Sequence, residues 1–425
     1  MLADCQDSPP AEERILMSAF TLAAQVSTSH TARDSLSVTS VRKALQAAQE
    51  VMPFNILITG SRELPDIFRE LTSSSSRASA EVYLWYNLLS DYPDQSIDEY
   101  IINSRGEVCT GWGGWTAQGQ NEVEETFIFS CPNHPEARRK TIASLKALLL
   151  AYPFDGVFLD KFRFPSPANG LQMVLSCFCP YCQQKAQSQG LDLERVRAEL
   201  GDLILSDPRD GSGALKNPTV WLDDLFIDRP ILSQFIRFRC ESIYSLVKDV
   251  RSLVNQMGRK LALDLFTPFL APLVGQDYGS LSHLADWAKP MTYRKAYGPA
   301  GFRLEVESLI KGIQSMYHLP IESALEWMGR YYPNVTLANY NRMVEQVVPL
   351  DWMRQEIQHA VQSFYPKPII MGLETVNFPG VIETTPAMVR EMVAVGIENN
   401  VQGAVISWDL LSTPLENISA IRDCL

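Results

Sequence analysis

Five residues that could do chemistry stand in or at the ends of short apolar runs. Asp160 closes GVFLD, Asp264 sits inside KLALDL, Tyr293 ends MTY, Glu374 closes IIMGLE and Asp409 follows ISW. A carboxylate in such a setting is costly unless it is paired, hydrogen-bonded or used. The sharpest case is FDGVFLDKFRFP, Phe154 to Pro165, where an apolar run ends on Asp160 and two cations, Lys161 and Arg163, follow. Nearby opposite charge keeps a carboxylate ionised. Asp160 therefore reads as a nucleophile or proton carrier, and the plainer reading is an ion pair closing a rim. A single buried acid is commonly structural; several converging on one rim must be tuned or neutralised, as functional acids are.

Paired carboxylates are what cleavage of a glycosidic bond needs, one as acid and one as nucleophile or base. Asp160 and Glu374 are the candidate catalytic pair. Lys161, Arg163, Asp264, Tyr293, Trp408, Asp409, Trp85 and Tyr86 are candidate substrate contacts, and Trp112 and Trp115 add rings in the loop GWGGW. Flat apolar rings suit the C–H faces of pyranoses, and they are equally at home in a core. The partner this implies is an oligosaccharide or simple glycoside. The histidines show no H-E-x-x-H spacing, and no G-x-S-x-G or P-loop occurs, so hydrolase-triad and nucleotide chemistry find no support.

Three thiols, Cys177, Cys179 and Cys182, fall within CFCPYC. Four-coordinate zinc needs one more ligand, and no second C-x-x-C exists. Two readings stand: a structural zinc stapling the surrounding segment, or reduced structural thiols. In neither does the cluster touch the carboxylates, so catalysis is expected to need no cofactor.

The elements that must position these residues alternate in a regular way. Apolar runs at Arg14–Phe20, Phe54–Gly60, Glu81–Leu89, Phe154–Pro165, Lys260–Leu270, Trp287–Tyr293, Lys367–Asn377 and Gly403–Leu411 are separated by amphipathic stretches such as Ser37–Val51, His134–Tyr152 and Pro386–Asn399. Eight β-rich runs, each followed by helix, predict parallel strands buried on both faces. Closure into a (β/α)8 TIM barrel is the economical topology, and chemistry in that fold sits at the C-terminal strand ends. A doubly wound open sheet is the alternative, against which no G-x-G-x-x-G follows the first run. The chain is expected to be a single barrel over residues 1–425. A helical, cysteine-containing insertion covers 166–258, with a surface loop in the turn-rich Ser206–Pro218.

Composition narrows the classes further. Lys and Arg number 37 and Asp and Glu 49, a net charge of −12, so phosphate backbones are repelled and no nucleic-acid partner is expected. Mean hydropathy is −0.07 and no long apolar run exists, so no membrane span is expected. The start MLADCQDSPP has neither a basic nor an apolar region, which predicts a cytoplasmic protein, or a secreted one if a leader has been lost.

DGVFLDKFRFP, CFCPYC, DLFTPFLAPLVGQDYGSLSHLADWAKPMTY and the late GLE and SWD segments together resemble the glycoside-hydrolase-like barrels related to the α-amylase and α-galactosidase superfamilies, from about Phe154 onward. The resemblance implies a (β/α)8 barrel and O-glycosyl hydrolase activity. In such families the acid ending the fourth strand is often the nucleophile, which maps to Asp160. In another large group that acid is the proton donor and the seventh-strand Glu the nucleophile, which maps to Asp160 and Glu374 with roles reversed. The fourth strand lacks the D-x-x-D-x-D-x-E run of chitinase-like barrels and the Asp-Glu pair of hexosaminidase-like ones, which speaks against an N-acetyl-assisted mechanism.

Overall fold

Short Val-, Ile- and Leu-rich segments with apolar residues on both faces form strands that cannot face water on either side. In the computed structural model, which describes residues 20–29, 36–60, 62–73, 79–109, 127–205, 230–317, 320–329, 331–378 and 382–425, they are Thr21–Ser27, Ile56–Gly60, Glu81–Asn87, Gly156–Asp160, Lys260–Leu265, Trp287–Pro290, Ile370–Glu374 and Gly403–Ser407. All pair in parallel in chain order, with the first strand against the eighth. The remaining seam, between the sixth and seventh strands, is bridged at Ala288 and Ile369, where the Ala288 amide donates to the Pro368 carbonyl at 3.1 Å. The fold is the expected TIM barrel.

Later strands lie inside the runs read from the sequence; the first does not. Residues 14–19 of RILMSAF lie outside the described residues, and the barrel strand is the next segment, TLAAQVS. Its alternate residues Ala23, Gln25 and Ser27 are small or polar, which hides it from a hydrophobicity reading. Leu22, Ala24 and Val26 belong to the large core shared with the helices. Ala23 joins a second core inside the barrel with Ile56, Ile58, Tyr83, Phe158, Ala262, Trp287, Ile370 and Val405.

Helices return the chain between strands. Val38–Val51 starts at Ser37 in a capping box with Ser40, and Pro135–Ala151 starts on a proline, which suits the first turn. After the fourth strand come Leu171–Val174, Pro180–Ser188, Leu193–Leu205 and the long Pro230–Gln256, which leads into the fifth strand. The turn-rich 206–218 and the GWGGW loop lie outside the described residues. No helix among the described residues is long and apolar enough to cross a membrane.

Candidate active site at the C-terminal rim

Period two along the fourth strand turns Phe158 and Asp160 inward and Val157 and Leu159 toward the helices. Asp160 thus reaches the mouth, and it is partly exposed. Both its oxygens are held: the Trp85 indole Nε1–H donates to Oδ2 at 3.0 Å, and the Lys161 amide donates to Oδ1 at 2.6 Å. Trp85 arrives there because its register partner is Phe158, two residues before Asp160 on the same inward face.

The two cations after Asp160 are buried. Lys161 has φ +51°, a left-handed conformation that is strained for a side chain with a Cβ. Its ammonium lies 2.6 Å from Asp91 and 4.3 Å from the centroid of Phe127. The Arg163 guanidinium lies 4.5 Å and 5.0 Å from the ring centroids of Phe129 and Phe266, and it donates to the Phe164 carbonyl. Burial pushes Arg163 down to about 10, while the charges of Glu305 and Asp160 act the other way. Neither side chain lines an open surface.

Below the mouth lies a buried polar cluster. Asp264 and Lys289 are register partners on the fifth and sixth strands, with Nζ 2.9 Å from Oδ2. Lys289 also donates to Gln25 Oε1 at 3.3 Å and lies 5.4 Å from the ring centroids of both Phe158 and Tyr293. Among the described residues, Asp264 Oδ1 and Gln25 Nε2 have no hydrogen-bond partner. Burial pushes the Asp264 carboxyl up to about 7; Lys289 opposes this and the charge of Asp160 adds to it. Gly372 makes room for the cluster, since a Cβ there would lie 3.1 Å from both Lys289 Cε and Tyr293 Cε1. Burial raises the Tyr293 hydroxyl to about 12.

The other candidates have different surroundings. Glu374 is fully buried, and its carboxylate accepts the amides of Arg294 at 2.6 Å, Lys295 at 2.7 Å and Ala296 at 2.5 Å. It clamps the turn that follows Tyr293. Burial pushes Glu374 up, and the three amides pull it back. Asp409 is buried and accepts the Ser412 hydroxyl at 3.0 Å and the Leu411 amide at 3.4 Å, capping the turn Leu410–Ser412. Trp408 is partly exposed, stacked on Phe378 at 6.1 Å and 5.7 Å from Tyr293. Tyr86 faces away from the mouth, as the neighbour of an inward Trp85 must, and its hydroxyl donates to the Thr141 carbonyl on a surrounding helix at 2.7 Å. The structure therefore brings Asp264 and Tyr293 to Lys289 and Trp85 to Asp160, whose charge Asp264 feels, and it does not bring Tyr86.

The sequence reading passed over Lys289 and Gln25. The signal was present: a lysine in WAKP, inside a strand buried on both sides, requires an acid on a neighbouring strand. It also passed over Cys131, whose sulfur joins those of Cys177, Cys179 and Cys182 within 4.8 Å of one another.

No protein-family model matches the chain, and no curated protein matches it by sequence. Solved structures do match by shape. The chain is similar to the glycoside hydrolase domain of PgaB (BpsB) from Bordetella bronchiseptica, at 12% identity and TM-score 0.55, covering 95% of this chain and 98% of that one. The spore cortex-lytic enzyme SleL of Bacillus megaterium matches at 10% identity and TM-score 0.47, covering 96% and 74% of the two chains. A class V chitinase from Pseudomonas fluorescens matches at 11% and 0.47, covering 96% and 99%. Of these three, the first is strong enough to carry an argument, and at that identity it speaks to the fold: the barrel resembles that of a glycoside hydrolase domain.

Proposed function

We propose that this chain is a glycoside hydrolase in which Asp160 is the carboxylate that meets the substrate. One observation carries the reading: Asp160 is fixed through both oxygens by Trp85 and the Lys161 amide, yet remains partly exposed at the rim where barrels place their chemistry. The fold shared with a glycoside hydrolase domain supports it. So do the partly exposed rings, Trp85 on the third strand and Trp408 with Phe378 beyond the eighth and seventh, which could flank a sugar ring.

In this reading Asp264 works with Asp160. A general acid must hold its proton near the working pH, and the Asp264 carboxyl, pushed up to about 7, does so. The charge of Asp160 adds to the burial that holds this proton, and Lys289 holds Asp264 in place. Lys161 and Arg163 add positive charge behind the site rather than direct contacts. Glu374 acts as a positioning residue through the turn 294–296.

The experiment is a screen of aryl glycosides and oligosaccharides against wild type and Asp160→Asn. Turnover by wild type that falls about 10²–10⁴-fold in the folded variant is expected, the range for losing a positioned proton-transfer group. Equal turnover in the two, or none with any glycoside, overturns the assignment. One observation favours a second reading, a catalytically inactive carbohydrate-binding barrel: the oxygens of Glu374 are taken up by three amides. Calorimetric binding of an oligosaccharide without any cleavage product would mark that case.

A further inference from the structure

Cys131 precedes the helix Pro135–Ala151, while Cys177, Cys179 and Cys182 follow the fourth strand. All four side chains are buried, unbridged and within 4.8 Å of one another. Cys131 lies 3.4 Å from Cys182 and 3.5 Å from Cys179. A disulfide would need about 2.05 Å. A tetrahedral zinc with Zn–S bonds of about 2.3 Å sets its sulfurs ~3.8 Å apart, a few tenths of an ångström more than these two separations and inside the 4.8 Å that spans all four sulfurs.

Every sulfur accepts an N–H: Cys131 from the Asn133 amide at 3.4 Å, Cys177 from the amides of Ile102 and Cys179 at 3.4 Å, Cys179 from the Cys182 amide at 3.5 Å and Cys182 from Asn133 Nδ2 at 3.3 Å. Such second contacts orient and tune metal ligands. Two cations stand by. Lys185 bonds Asn133 Oδ1 at 2.8 Å. Arg239 is fully buried and donates to the carbonyls of Leu273 and Val174.

We propose that Cys131, Cys177, Cys179 and Cys182 hold one zinc ion as a closed structural centre. It ties the segment after the third strand to the one after the fourth. With all four positions filled by protein, the ion has no open site for chemistry. The segment it anchors carries Phe127 against Lys161 and Phe129 against Arg163, so the centre braces the two cations beside Asp160.

Elemental analysis of the purified full chain should find about one zinc per chain. Titration of the native protein with a mercurial should release that zinc in step with modification of the four thiols. Cys131→Ser should lose the zinc and lower the Tm, whereas Cys424→Ser, outside the cluster, should keep both. The titration uses wild type, so it decides even if Cys131→Ser fails to fold. A metal-free chain, a Cys131–Cys182 disulfide in non-reducing peptide mass spectrometry, or a red iron-loaded protein in place of zinc would overturn the proposal.

Discussion

Asp264 and Lys289 face each other across adjacent barrel strands, with their charged atoms 2.9 Å apart and almost no exposure to solvent. Removing two such charges from water costs several kcal/mol per ion, and their attraction repays it only with good geometry and further hydrogen bonds. Here Gln25 adds one bond, and among the described residues Asp264 Oδ1 has none. A polar group left short in this way is unusual in a core. It makes sense beside a mouth where a substrate or a proton completes the set.

The pH dependence follows from the Asp264 carboxyl. Its folded value, about 7, lies above the ordinary value near 4. Between those two values the folded chain holds a proton that the unfolded chain has released, so stability falls as pH rises through that window. Asp264→Asn holds no titrating proton, and its urea midpoint should fall less than that of wild type across the window. Parallel midpoints for the two would show that Asp264 does not titrate there.

The same group should shape activity. If its proton serves the reaction, glycoside turnover by wild type should decline above about pH 7, and that limb should vanish in Asp264→Asn. Lys289→Met removes the charge that favours ionised Asp264, so the limb should move to higher pH. A limb unmoved in both variants would assign it elsewhere.

Trp85→Phe keeps the ring and removes the Nε1–H that holds Asp160 Oδ2. A hydrogen bond to a charged group contributes about 1.5–3 kcal/mol, so kcat should fall roughly 10- to 100-fold. A rise in KM alone, with kcat unchanged, would confine Trp85 to substrate stacking.

Glu374→Ala strips the acceptor from three amides, two of them buried and that of Lys295 half-buried. Each unsatisfied donor costs about 1–3 kcal/mol, so a loss of about 3 kcal/mol or more in a denaturation curve is expected. Glu374→Gln keeps a single acceptor oxygen and should fall between. Should Glu374→Gln match wild type in stability and yet be inactive, Glu374 acts in the chemistry itself.

Gly372→Ala places a methyl group against Lys289 and Tyr293. Overpacking of this kind costs about 1–3 kcal/mol. The change should lower the Tm and disturb the Asp264 limb of the pH profile, and an unaltered profile would separate Lys289 from the chemistry.

Local patterning carried much of this protein. Alternating apolar runs and amphipathic helices located seven of the eight parallel strands and pointed to a barrel, because a strand buried on both faces has few other homes. The position of Asp160, one residue past an apolar run, placed it at the rim, since the chemistry-bearing ends of barrel strands all point one way. Three of the four clustered cysteines were visible because they are neighbours in the chain.

Contacts between distant segments decided the rest. Cys131 lies 51 residues before Cys182, and only the packing of the two segments puts their sulfurs together. Trp85 and Tyr86 looked alike in sequence, but strand alternation sends one to the mouth and the other to the helices. Glu374 read as a free acid until the turn after the sixth strand folded its amides onto it. The first strand was hidden because its inward residues are small or polar: Ala23 fits the crowded inner core and Gln25 bonds Lys289. A sequence records which side chains are present; which of them share a proton, a cation or a set of amides is set by strand register and closure, which bring residues from different strands within bonding distance.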